Sequence, residues 1–162
     1  MAFVLRIISK AKWIPFEKSG FCVGQVQADA MNDLKTKDNK LSIWILDEEK
    51  SNLERVVAAL ASKREKLSKF DYAVFDLKLV DKMKIKREVT KGDSPDLNTN
   101  NLHNDLVELS TKELYKLANA IQFKSTKGRF LGEDVKNLIQ ENINKGNIDF
   151  DKMNQKIRKY FT

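Results

Sequence analysis

A chain of 162 residues with 41% hydrophobic and 33% charged residues is long and apolar enough to bury one ordinary core; its mixed charge signs, with only 6 Gly and 2 Pro, exclude a disordered or fibrous polymer. A single Cys22 and a single His103 exclude an intramolecular disulfide and the usual Cys/His zinc spacings, which fits a reducing, cytoplasmic setting. The net charge of +7 favours an anionic partner, and most of the excess (+5) falls in residues 111–162.

Residues 3–8 are rich in β-branched and large apolar side chains and predict a first strand. Arg6 interrupts this run, which is too short for a secretory core, and no later apolar run reaches the length of a membrane span. Lys10, Lys12, Trp13, Phe16 and Lys18 then interleave cations with rings. Such a composition can stack on bases, lie at a membrane surface or close a core edge from a loop; Pro15 and Gly20 favour the loop. Val26, Ala30, Met31 and Leu34 predict a short helix over residues 26–34.

Leu41–Leu46 is apolar on both faces, as a central strand should be, and hands over to an amphipathic helix over residues 51–67. Ser51 and Glu54 have the spacing of a capping box at its start. Residues 72–75 predict a third strand, and residues 85–89 alternate like an edge strand with one solvated face. Residues 90–101 are dense in turn formers and long for a connection, a feature common in functional loops.

A final strand is expected around Leu106 and Val107, followed by a second capping box, Ser110 with Glu113, and a helix whose buried face is Leu114, Leu117, Ala118 and Ile121. Val135, Leu138, Ile139, Asn142 and Ile143 predict another helix, ended by a left-handed Gly146. From Asp149 as N-cap, Met153, Ile157, Tyr160 and Phe161 line a last helix. The expected fold is mixed α/β (α+β): a four- or five-stranded sheet with packed helices in residues 1–109, and a C-terminal helical extension over residues 110–162 packed on it as one domain.

Resources for catalysis are few. Cys22 and His103 with Asp105 can be written as a nucleophile, base and orienter, but a lone cysteine is more often a small buried hydrophobe. Glu48 and Lys50 at a strand end, joined by Asp33, Asp38 or Asp76, have the composition of a Mg²⁺-dependent nuclease site; the same residues also suit a solvated turn before a helix. Lys91-Gly92 and Lys127-Gly128 lack the glycine spacing of a P-loop, and no dinucleotide, nucleophile-elbow or HExxH motif is present, so no cofactor is expected.

The first functional expectation is therefore a non-catalytic cytoplasmic binding protein acting through a protein partner as a regulator, inhibitor or accessory subunit. Its contact residues would be Trp13, Phe16, Asp93, Asp96, Asn98, Asn100 and His103. The second is nucleic-acid binding through Lys152, Gln155, Lys156, Arg158 and Lys159, whose side chains suit phosphates and base edges. The third is the Mg²⁺-dependent nuclease centred on Glu48 and Lys50.

Overall fold

The computed structural model describes residues 2–13 and 25–161. Six strands, β1 (Phe3–Ile7), β2 (Leu41–Leu46), β3 (Phe70–Asp76), β4 (Lys86–Val89), β5 (His103–Val107) and β6 (Thr126–Phe130), form one sheet in the order β4-β5-β2-β1-β3-β6. Every neighbouring pair is antiparallel. Six α-helices accompany them: α1 (Leu53–Ala61), α2 (Leu77–Lys82), α3 (Leu97–Asn101), α4 (Thr111–Lys124), α5 (Gly132–Asn144) and α6 (Gln155–Arg158). The class is the mixed α/β one that the sequence implies.

The two-residue period of the strands sorts their side chains into two layers. Val4, Leu41, Ile43, Ala73, Phe75 and Leu106 face one side, where they pack with Trp13, with Val80 of α2 and with Leu117, Ala118 and Ile121 of α4. Leu5, Trp44, Leu46, Phe70 and Val74 face the other, against α1, α5 and Ile157 of α6. Each fully buried Leu, Ile or Phe contributes about 2 kcal/mol of transfer free energy, so helices on both faces stabilise a sheet whose central strands place apolar residues on both sides. β2 lies inside the sheet, as its pattern requires; β4 lies at one edge as expected, but all four of its residues are exposed in place of the single solvated face that its alternation implied.

Six strands replace the expected four or five because Thr126–Phe130, within the stretch read as purely helical, returns to the sheet beside β3. Its sequence carries no run of β-branched residues; tertiary partners make it a strand. Arg129 donates from Nε and Nη2 to the Asp71 carboxylate at 2.6 and 2.9 Å. The Tyr72 ring, stacked with Phe130 at 5.6 Å between centroids, covers Gly128 so closely that a Cβ there would lie 2.2 Å from Tyr72 Cζ. Gly128→Ala is therefore expected to destabilise the protein by about 1–3 kcal/mol. The added change Tyr72→Val should recover part of that loss, which urea unfolding of the single and double variants would measure.

The helix after β2 starts and stops differently from the expectation. Asp47 takes both the amide and the hydroxyl of Ser51, Lys50 turns left-handed at φ +57, and Asn52 becomes the N-cap, so Ser51 and Glu54 form no box. The helix ends at Ala61 because the Ser62 hydroxyl donates back to the Ala59 carbonyl while the Ser62 carbonyl accepts from the Asn154 amide. The second box does form: Ser110 Oγ accepts from the Lys112 amide, and Glu113 accepts from the Ser110 amide at 3.3 Å.

Gly146 is left-handed at φ +69, as expected. The helix predicted from Asp149 onward is instead a short 3₁₀ turn, Phe150–Lys152, then α6, because Met153 and Asn154 are extended and Asn154 starts a new cap. Residues 28–34 are likewise 3₁₀ helix.

Candidate functional site

Trp13, read both as a ring closing the core edge and as a contact residue, is a core residue: it is 1% exposed and donates from Nε1 to Asp33 Oδ2 at 2.8 Å. Phe16 and Cys22 lie outside the described residues. The polar loop is also turned inward. Asp96, 1% exposed, accepts from Arg55 Nε and Nη2 at 2.6 and 2.8 Å, from Thr99 Oγ1 and from the Asn98 amide that opens α3. Asn100 is buried and bonds the backbone of Ser94 through both ends of its amide. The Asp149 amide donates to the Pro95 carbonyl, tying the C-terminal segment to the same loop. Of the loop residues proposed as contacts, Asp93 and Asn98 stay exposed, and Asp93 pairs with Lys63 at 3.1 Å. The turn chemistry that looked functional bonds the segment to its own backbone and to Arg55.

His103 is buried edge-on against the Trp44 ring, with Nδ1 2.9 Å from Thr90 Oγ1. Thr90 and Ser42 both donate their hydroxyls to Asp105, at 3.0 and 3.1 Å. With its proton held by Asp105, the Thr90 oxygen accepts from His103, and Ser42 meets a carboxylate where a nucleophile needs an imidazole. The network is closed on itself.

Among the described residues no three His, Cys, Asp or Glu side chains converge as a metal site would require. Asp33 is engaged by Trp13 and the Ser9 amide, Asp76 caps α2, and the Lys50 ammonium sits 4.2 Å from the centre of the Phe3 ring. Glu48 and Lys50 are therefore not joined there by the carboxylates that the nuclease expectation needs.

The C-terminal cations are interleaved with acids. Lys152 pairs with Asp149 at 3.0 Å, Lys156 with Glu65 at 2.9 Å and Arg158 with Asp151 at 3.5 Å. Lys159 lies 5.7 Å from the Tyr160 ring centre, and Gln155 opens an α6 of only four residues. No long helix presents these side chains together.

A different surface combines apolar area with three lysines, of which Lys116 pairs with Glu113 at 3.9 Å. α4 buries Leu117, Ala118 and Ile121, yet Tyr115 and Phe123, eight residues apart on its outer side, are 66% and 51% exposed. With Ala120 they form one wall of a groove of about 320 Å³ whose other wall is Leu79 and Met83 beside α2. Lys82, Lys116 and Lys124 line it, and no carboxylate does. Lys116 donates to the Met83 carbonyl at 3.2 Å across the groove, which fixes the spacing of its walls. The sequence reading treats α4 as apolar on one face only; the signal it passed over is Tyr115, Asn119 and Phe123 at i, i+4 and i+8.

Among the described residues, no helix is long and apolar enough to cross a membrane. No family model, curated protein or solved structure matches this chain.

Proposed function

We propose that this protein is a non-catalytic cytoplasmic binding module that grips an acidic, amphipathic helical segment of a protein partner between α2 and α4. The observation that carries the reading is the lysine-lined apolar groove with two large rings left exposed above it. Solvated Tyr and Phe side chains on a rigid helix lose little conformational freedom on binding and bury a large apolar area, which is why such residues anchor interfaces. A helix lying in the groove would insert apolar residues at i and i+3 or i+4 between Phe123, Tyr115 and Leu79. Its Asp and Glu would meet Lys82, Lys116 and Lys124, giving orientation and a faster encounter. The lone cysteine supports the reducing compartment.

The nucleic-acid reading has less support, since Lys152, Lys156 and Arg158 already face carboxylates. The nuclease reading has less still, given the separate engagements of Asp33, Asp76 and Lys50.

A selection of displayed random peptides on the immobilised protein tests the proposal. Sequences combining Asp or Glu with Leu or Phe at helical spacing should be enriched, and enrichment should disappear on the variant Tyr115→Ala with Phe123→Ala. Absence of any consensus, or the same consensus on the variant, would overturn it.

A further inference from the structure

A second cavity, of about 590 Å³, opens at the end of β1: its walls hold Arg6, Lys35, Arg64 and Lys69 against only Asp33 and Asp71. Both carboxylates are already matched. Asp71 accepts from Arg129 and from the Lys10 amide, while Asp33 accepts from Trp13 and the Ser9 amide and pairs with Lys12 at 3.4 Å.

The wall cations lack such partners. Arg6 donates to two backbone carbonyls, of Ser42 at 2.8 Å and Asp33 at 2.6 Å, and its Nε has no acceptor and is closed off from solvent. Arg64 donates to the Lys69 carbonyl at 3.1 Å and stacks on the Phe70 ring. No carboxylate pairs directly with either guanidinium, or with Lys35 or Lys69, among the described residues. Burial pushes the Arg6 guanidinium down to about 10 and lowers that of Arg64, with only partial relief from the more distant Asp33 and Asp71.

A buried guanidinium is costly unless an anion offsets its desolvation. We infer that this cavity is a binding site for a phosphate group carried on a small molecule. Beyond their three carbonyl bonds the two guanidinium groups retain N–H donors suited to an oxyanion, and two lysines at the rim add the charge that a dianion requires. The volume exceeds that of phosphate alone and leaves room for an organic portion. This site is independent of the α2–α4 groove, so either can fail without the other.

Thermal unfolding of the whole protein in inorganic phosphate, against chloride at matched ionic strength, tests the inference, with ribose 5-phosphate as the organic probe. Phosphate should raise the melting midpoint, as a ligand bound only by the folded state must. Ribose 5-phosphate should do so at lower concentration. Arg6 also holds the Ser42 and Asp33 carbonyls, so its removal can unfold the protein; the informative variant is Lys35→Gln with Lys69→Gln, both exposed. Its phosphate affinity should fall about tenfold or more while its midpoint in chloride is unchanged. No phosphate-specific shift in the wild type, or an equal shift in the double variant, would overturn the site.

Discussion

Replacing Trp13 by Ala is expected to cost about 3–5 kcal/mol of folding stability, the largest loss among the substitutions considered. Trp13 is 1% exposed within the cluster of Ile8, Ala30 and Leu34, so truncation leaves a cavity at the sheet's edge. It also removes the indole donor from Asp33, which then keeps the Ser9 amide and Lys12. Trp13→Phe separates the two effects: most of the apolar volume stays, and the lost hydrogen bond alone should cost about 1–2 kcal/mol. Urea unfolding followed by circular dichroism provides both values. A Trp13→Ala change of less than about 1 kcal/mol would return this residue to the surface role that its charged neighbours suggested.

The second large effect is expected at Asp96. Asp96→Ala removes four hydrogen bonds and leaves Arg55 without its carboxylate. Breaking a fully buried pair costs about 3–5 kcal/mol, but Arg55 is 31% exposed and water compensates part of that, so about 2–3 kcal/mol is expected. Amide exchange should accelerate through residues 92–101 before it does in β2, because the loop loses its tie to α1 while the central sheet keeps its core.

The pH dependence follows with a definite sign. Burial alone would raise the Asp96 carboxyl, but the hydrogen bonds from Arg55, Thr99 and the Asn98 amide outweigh it and hold it below the usual carboxylate range. Asp71 is lowered too, chiefly by Arg129. A carboxyl depressed on folding stabilises the native state above its unfolded value, near about 3.9, and that stabilisation is lost as pH falls through the folded value. Stability should therefore hold from neutral pH to about 4 and drop below it. In Asp96→Asn the drop should be shallower, and an unchanged acid limb would mean that the Arg55 pair does not act as described.

How much of this was legible depended on whether the deciding partner lay nearby in sequence. Leu41–Leu46 reads as a central strand because its own residues are apolar on both faces, and Ser110 finds its capping partner three residues on. β6 was invisible because Asp71 and Tyr72, more than fifty residues earlier in the chain, decide its fate. Ser51 failed as a cap because Asp47 competed for it from just outside the pattern. Trp13 could be read as a ring closing the core edge or as a contact residue, because the acceptor that decides between them, Asp33, is twenty residues away.

The candidate site followed the same logic. The loop residues Asp96 and Asn100 are of types common in functional loops, but Asp96 is satisfied by Arg55, Thr99 and the Asn98 amide, and Asn100 by the Ser94 backbone. The groove needed two helices to be seen. Its α4 wall was readable as a second apolar stripe, whereas α2 is only six residues long and offers too little periodicity to predict.

A calorimetric titration of an acidic amphipathic peptide from the display selection, into the wild type and into Tyr115→Ala with Phe123→Ala, tests the groove most directly. Both rings are largely exposed in the free protein, so the double variant should melt near the wild-type temperature. Its affinity should fall about tenfold or more, and wild-type binding should weaken as salt rises, since the lysines supply part of it. Equal affinity in the two proteins, with the variant folded, would contradict the groove as the binding surface.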